Sequence, residues 1–309
     1  MICSTNGLYM ASKSNAHNHA QTLIDFIDAS PSPWHAVNTI KNQLLASGFK
    51  QLLECDGWSL SPGSSYFVIR GGSSIIAFRY GKQPIVETGI RIIGAHTDSP
   101  GLRIKPNPVS VDPWIRLGVE LYGSPILATF TDRDLSLAGT VLIRRNSAIE
   151  EVLVQFDRPL LRLPNLAIHL NRGVNEDGLK LQKHSEMPLI LDRNKNEPPE
   201  GNLLKNLISQ EINSPAETIV GFELCVYDTQ KGGFWGAKDE FFSDSQIDNL
   251  SSCHAALQAL IKATPSDQTS LCAFFDHEEI GSESHKGASG SFLKDILDRL
   301  NSEGGGNPH

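Results

Sequence analysis

Apolar runs that stop abruptly at polar residues set the layout of this chain. The sharpest is Leu271-Cys272-Ala273-Phe274-Phe275, followed at once by Asp276-His277-Glu278-Glu279-Ile280-Gly281-Ser282. Five apolar residues, two of them aromatic, predict a buried strand, and Gly281 permits a sharp turn after it. The same pattern recurs at Ile90-Arg91-Ile92-Ile93-Gly94-Ala95, which runs into His96-Thr97-Asp98-Ser99-Pro100. Residues 66–69 and 74–78 predict two strands of a hairpin about Gly71-Gly72. Leu23, Ile24 and Ile27 recur at helical spacing and predict a helix over 19–28. A second helix is expected from Pro33, capped by Ser32, with Val37, Ile40 and Leu44 on its apolar face and Gly48 as its stop. Further helices are expected after Asp248-Asn249, through Ala256, Leu257 and Leu260, and over 291–300.

Between about Leu102 and Gly221 the texture changes to short alternating segments such as Val141-Leu142-Ile143, broken by Pro108, Pro113, Pro125, Pro159 and Pro164. This reads as a β-rich insertion. The expected fold class is therefore α/β, a mixed sheet flanked by helices, with residues 104–227 as a β-rich domain inserted between 1–103 and 228–309. Residues 192–206 are polar and carry Pro and Gly, which predicts a mobile surface loop. Gly232-Gly233-Phe234-Trp235-Gly236 predicts a flexible, ligand-accessible turn.

Composition narrows the partners. The chain has 309 residues, enough for one large or two ordinary domains, and a formal net charge of −8 with no basic run, which argues against nucleic acid. Five cysteines show no CxxC spacing. Cys225, Cys253 and Cys272 sit in or beside apolar runs and read as small core residues, so a reducing cytoplasm is expected. No run approaches ~18 apolar residues, so no membrane-spanning helix is expected. Met1 to Asn18 is polar and lacks the apolar core of a signal peptide; Met10 is an alternative start, with the first nine residues a disordered or mis-assigned extension.

The chemistry gathers where the buried strands end. In open α/β sheets ligands bind at the carboxyl ends of strands. Four ionisable residues in a row after a core strand need partners or a metal, although a solvated loop would also hold them. Neutral imidazole is a favoured zinc ligand, which makes His96 a candidate, and Asp98 lies where a carboxylate can orient its other nitrogen. Asp248 reads either as a helix cap or as a carboxylate presented towards His96 and Glu279. His169 follows an apolar triplet, Leu166-Ala167-Ile168, and reads as a core or interface histidine.

Taken together, His96-Thr97-Asp98, Ile247-Asp248-Asn249 and Asp276-His277-Glu278-Glu279 resemble the M18 metallopeptidases, the aspartyl aminopeptidase family. The resemblance runs from about His19 to Leu300. It includes Ser30-Pro31-Ser32-Pro33-Trp34-His35-Ala36-Val37, Asp132-Arg133-Asp134-Leu135-Ser136-Leu137-Ala138-Gly139, Leu166-Ala167-Ile168-His169-Leu170 and Glu278-Glu279-Ile280-Gly281-Ser282. It implies a zinc-peptidase domain interrupted by a β-rich oligomerisation domain, in large tetrahedral homo-oligomers of the cytoplasm. It implies removal of N-terminal residues from peptides, acidic ones in eukaryotic members, at two Zn2+ ions. By motif, His96 is a metal ligand, Asp248 the bridging ligand and Glu279 a terminal carboxylate ligand. Glu278 is the general base, Asp98 the partner of His96, and His169 is donated by a neighbouring subunit to polarise the scissile carbonyl.

The chain departs from that pattern in three ways, the slightest being Ser124-Pro125 and Thr129 in place of a Gly- and Trp-bearing stretch before Asp132. The family's later part, with a further Asp and a final His ligand, is not matched after Leu300, so the resemblance is to a C-terminally truncated member. Gln246-Ile247 also stands where Arg-Leu is usual. A non-catalytic relative acting as an oligomerising or peptide-binding subunit is the alternative reading. A different two-metal hydrolase, such as an amidase, is a more distant one, against which the His169 motif and the inserted β-unit both count.

Overall fold

The computed structural model describes residues 5–111, 113–193 and 203–303. In chain order the helices are α1 (Thr5–Asp28), α2 (Pro33–Ala46), α3 (Ile85–Thr88), α4 (Val174–Asp177), α5 (Leu203–Glu211), α6 (Ile247–Lys262) and α7 (Phe292–Glu303). The strands are β1 (Lys50–Gln51), β2 (Ser65–Arg70), β3 (Ser74–Arg79), β4 (Ile90–His96), β5 (Gly101–Val111), β6 (Trp114–Tyr122) and β7 (Leu135–Arg145). They continue with β8 (Ala148–Gln155), β9 (Leu189–Arg193), β10 (Ile219–Asp228), β11 (Gly233–Trp235), β12 (Phe241–Ser243) and β13 (Thr269–Phe275). The fold is mixed α/β. The chain divides into two units, Met1–Asp98 with Lys231–His309, and Ser99–Gln230. The boundary read from the sequence at 103/104 falls inside β5, whose pairing with β6 carries its first residues into the second unit.

In the first unit a five-stranded sheet has the order β1-β2-β3-β13-β4. β13 pairs antiparallel with β3 and parallel with β4. Its side chains alternate between two apolar layers, the period-two rule of a strand covered on both faces. Phe67, Ile75, Ala77, Cys272 and Phe274 face Phe26 and Ile27 of α1, Ile40 and Leu44 of α2, and Leu257 and Leu260 of α6. Val68, Ile76, Phe78, Leu271 and Ala273 face Trp58 and the Phe292, Ile296 and Leu300 stripe of α7. Helix α2 is built as its sequence prescribes. The Ser32 side chain accepts the His35 N–H, Pro33 opens the first turn, and Gly48 takes a φ of 83° just beyond the end. Ser32 Oγ also lies 2.7 Å from His35 Nδ1, so this buried histidine is structural.

In the second unit six strands pair antiparallel in the order β8-β7-β10-β5-β6-β9. Leu117, Leu137, Val141, Phe156, Met187, Leu189 and Leu224 form its core, and α5 covers them with Leu204 and Ile208. Gly139 is required here, because a Cβ at that position would lie 2.0 Å from the Glu223 carbonyl oxygen.

Four local expectations change. Helix α1 starts at Thr5, well before residue 19: once a helix is anchored by Leu23, Ile24 and Ile27, each further residue adds one hydrogen bond. The first four residues of the expected extension lie outside the described residues. Residues 203–206, assigned to a loop, form the start of α5, while 194–202 lie outside the described residues. The expected flexible turn at 232–236 contains β11, paired with β12, because Phe234 and Trp235 find strand partners in Phe242 and Phe241. Cys253 and Cys272 are buried as expected, whereas Cys225 is only half-buried on β10.

Candidate metal centre

β4 and β13 run parallel, so their carboxyl ends lie side by side, Phe275 opposite His96. Both apolar runs break there, and the polar residues that follow must serve one small region. They divide into a buried set and an exposed set.

The buried set is a closed network. Asp276 is fully buried. Its Oδ2 accepts the Ser73 hydroxyl at 2.6 Å and lies 3.2 Å from Lys286 Nζ, while Oδ1 accepts the His277 N–H at 2.8 Å. Ser74 Oγ accepts the Asp276 N–H at 2.8 Å and donates to the Lys286 carbonyl at 2.9 Å. Lys286 Nζ also sits 5.2 Å from the centre of the Trp34 ring, a cation–π contact. Gly71 leaves room for the lysine stem, since a Cβ there would lie 2.4 Å from Lys286 Cδ. A buried carboxylate paired with an ammonium and satisfied by hydroxyl and amide donors meets the condition for holding charge in a core. Nothing in the sequence links Ser73, Asp276 and Lys286, and the network was not anticipated from it.

The exposed set is the group selected from three separate stretches. One ligand atom from each of His96, Asp248 and Glu279 lies within 4.8 Å of the others. His96 Nε2 is 3.5 Å from Asp248 Oδ1 and 3.8 Å from Glu278 Oε2. Its Nδ1 is 3.0 Å from the Asp98 carbonyl oxygen and 3.4 Å from Asp98 Oδ1. A carbonyl oxygen can only accept, so the ring proton sits on Nδ1 and the Nε2 lone pair faces the acids. Burial disfavours charge on His96, but the hydrogen bonds to Asp98 outweigh it and raise its pKa above the ordinary imidazole value.

Asp98 has a second task that its sequence spacing did not reveal. It is fully buried, and its Oδ1 and Oδ2 accept the N–H groups of Glu278 and Glu279 at 3.2 and 3.1 Å. One carboxylate thus fixes both the imidazole and the turn that carries the two glutamates. That turn is a single 3-10 turn, Glu278–Ile280, entered through His277 at φ 67° and left through Gly281 at φ 97°. Burial, and after it the nearby Glu278, raises the pKa of Glu279, with Asp98 and Asp248 adding to the effect and His96 opposing it. The Asp248 side chain is 84% exposed. Its backbone (φ −84°, ψ 111°) is extended, so it stands ahead of the regular turns of α6. Cys253, buried under the site, donates its thiol to the His96 carbonyl at 3.0 Å, and burial pushes its pKa up.

His169 lies in the second unit, on an exposed turn where Leu166, Ile168 and Leu170 are also exposed. The Asp132-Arg133-Asp134 motif holds the segment leading to it. Asp132 Oδ1 and Oδ2 accept the main-chain and side-chain N–H groups of Asn165 at 3.0 Å, and Asp134 pairs with Arg162. The Asn165 hydrogen bonds lower the Asp132 pKa below the ordinary carboxylate value.

The donors suit zinc: one imidazole nitrogen and two carboxylates within 4.8 Å, with the second imidazole nitrogen held by a carboxylate. Comparison with known proteins agrees. The pattern of the aminopeptidase I zinc metalloprotease (M18) family matches residues 26–308. The chain is 43% identical over 290 residues to a probable M18 family aminopeptidase 2 of Clostridium acetobutylicum, covering 93% of this chain and 67% of that protein. The solved structure of mApe1 from Chaetomium thermophilum superposes with a TM-score of 0.87 at 31% identity, over 94% of this chain and 70% of that one. The S. cerevisiae mApe1 dodecamer gives a TM-score of 0.79 at 27% identity, over 94% and 67%. The chain spans about two thirds of the length of the curated relatives it matches.

Proposed function

The chain belongs to the M18 family of zinc metalloproteases, and from that premise we propose that its sheet edge serves an aminopeptidase, with His96, Asp248 and Glu279 as zinc ligands. The observation that carries the reading is the convergence of three ligand atoms within 4.8 Å at the carboxyl ends of β4 and β13. Zinc held there would act as a Lewis acid and lower the pKa of a bound water towards ~7.

The chain's own residues do the rest. Asp98 keeps the proton of His96 on Nδ1 and so keeps Nε2 free to ligate. Glu278, more than half exposed and 3.8 Å from His96, takes a proton from the attacking water and passes it to the departing amine. Its neighbour Glu279 would hold the metal, which gives adjacent glutamates different tasks. Asp248, with a largely exposed carboxylate, would be the ligand shared between two zinc ions, as the resemblance implies. Each ion then requires donors beyond the three named, because catalytic zinc usually has three protein ligands.

The proposal extends to an assembly. His169 acts on a neighbouring copy, where it stabilises negative charge developing on the scissile carbonyl. The exposed Leu166, Ile168 and Leu170 around it supply apolar surface for that contact, and the S. cerevisiae relative is a dodecamer. By resemblance, acidic N-terminal residues, preferred by the family's eukaryotic members, are among the candidate substrates, and the cytoplasm is the expected site of action.

Elemental analysis of the purified chain tests the centre. Zinc that is present in the wild type and lost in His96→Ala supports it, and a folded chain without zinc refutes it. Glu278→Gln should keep the metal and lower kcat by about 10²–10⁴-fold; retained turnover would remove Glu278 from the role of base. His169→Phe should lower kcat at unchanged zinc content. A series of peptides differing only in the first residue, led by Asp, Glu, Leu and Ala, reads the specificity.

A further inference from the structure

The residue that opens the glutamate turn holds a backbone that glycine adopts more readily. His277 has φ 67° and ψ 20°, in the left-handed region, where a Cβ crowds the following carbonyl. Gly281, at the other end of the same turn, takes φ 97° with no side chain to crowd. A side chain kept in a sparsely populated conformation beside a candidate site points to a task for that side chain.

The state of the ring follows from its neighbours. Ser284 Oγ accepts the Lys286 N–H at 3.3 Å and the Gly287 N–H at 3.0 Å. Both lone pairs of the hydroxyl are then taken, and only its proton is left to give. Ser284 therefore donates to His277 Nδ1, 2.8 Å away. Nδ1 accepts, so the ring proton sits on Nε2, which faces Asp276 Oδ2 at 3.5 Å. This is the opposite tautomer to His96. The main chain of His277 is held as well: its N–H goes to Asp276 Oδ1 at 2.8 Å, and its carbonyl accepts the Ser282 N–H at 2.8 Å. One residue thus ties the turn to Asp276 before it and to Ser282 and Ser284 after it.

We propose that His277 is a positioning residue, whose ring, locked to Ser284, sets the direction in which Glu278 and Glu279 leave their turn. The inference rests on the reading of Glu279 as a zinc ligand and Glu278 as the base. Asp98 holds the N–H groups of both glutamates from the β4 side. Those two bonds are one residue apart, so the turn can still pivot about the line between them. The His277–Ser284 bond supplies a third point, off that line, and stops the pivot. Two adjacent side chains with different tasks need that restraint, because a site tolerates only about 10–20° of misorientation. His277 itself touches neither the metal nor the water in this scheme; it acts through the turn.

Zinc competition with a chelator, run beside denaturant unfolding on the full 309-residue chain, tests this. His277→Gly suits the backbone and removes the ring. Its unfolding midpoint should stay close to that of the wild type while the zinc dissociation constant rises about tenfold or more. His277→Asn puts an acceptor back at the place of Nδ1 and tolerates the left-handed backbone, so it should recover most of the affinity. Ser284→Ala should weaken zinc binding on its own and add less than about twofold in the His277→Gly chain, since both remove one bond. NMR of the 15N-histidine-labelled wild type should find the His277 proton on Nε2. Unchanged affinity in His277→Gly, affinity lost only in step with stability, no recovery in His277→Asn, or a proton on Nδ1 would each overturn the positioning role and leave the centre standing. A folded wild-type chain without zinc would overturn the centre itself and the positioning role with it.

Discussion

Asp276 and Asp248 belong to one unit and meet opposite environments. Asp276 is fully buried and held by Ser73, Lys286 and the His277 N–H. Asp248 is 84% exposed beside His96, within a cluster that also holds Glu278 and Glu279. Behind the sheet edge, negative charge is matched by an ammonium and fixed donors. In front of it, three carboxylates share one imidazole and are kept in or near water. The first arrangement holds a shape and the second has room for a cation. Asp98 joins the two, being as buried as Asp276 while fixing His96 and the glutamate turn of the exposed cluster.

The comparison can be broken most severely at Lys286. Lys286→Met leaves the Asp276 charge buried without its cation and should cost about 3–5 kcal/mol in denaturant unfolding. A loss below about 1 kcal/mol would mean that Asp276 is held by its hydroxyl and amide donors alone. Next in size is Asp98→Asn, which removes an acceptor from the histidine and from the turn. Zinc affinity should fall about 10–100-fold, read by competition with a chelator, with smaller change in stability. Equal losses in both would make Asp98 part of the scaffold only.

A third acid sharpens the contrast, because it is half-buried with one oxygen unmatched. Asp244 Oδ2 has no hydrogen-bond partner among the described residues. Burial, opposed by the Ser245 N–H and reinforced by Asp28, pushes its pKa up to about 7. A carboxyl whose folded pKa is raised makes the folded state less stable as pH rises from its unfolded value to its folded one. The penalty therefore grows between about pH 4 and 7 and is complete by pH 8. Asp244→Asn should stabilise the chain at pH 8 by roughly 1–2 kcal/mol, after discounting the shift for partial solvent screening, and have little effect near pH 4. A pH-independent change would point to packing.

The smallest effect belongs to Glu279. Its pKa is raised by burial and by Glu278, so without metal its ionised form weighs against folding. Glu279→Gln should raise metal-free stability at pH 8 by roughly 0.5 kcal/mol or less, given its exposure. With zinc present the sign should reverse, since the substitution removes a ligand. A loss under both conditions would assign Glu279 a structural task.

The sequence by itself determined the elements and the places where they stop. Leu271–Phe275 and Ile90–Ala95 read as strands because apolar runs are local, although burial was read correctly only for the first, Ile92 and Ile93 of β4 being about half exposed, and Ser32, Pro33 and Gly48 bound α2 because capping is local. It also marked His96 and Glu279, which follow breaks from apolar to polar residues, and Asp248, at the start of a helix. Only the tertiary structure decided which acids share a space. Parallel pairing of β4 with β13 brings His96 opposite Phe275, and the turn after Phe275 returns both glutamates to the Asp98 carboxylate. The Ser73–Asp276–Lys286 network joins positions more than 200 residues apart, a contact that no local pattern encodes. Helix α5 and the β11–β12 pair escaped the sequence reading because their polar or glycine-rich residues are overruled by long-range partners: the core that Leu204 and Ile208 cover, and the strand opposite Phe234. The bare faces of β4 follow the same logic, since a run of isoleucines specifies burial without specifying what provides it.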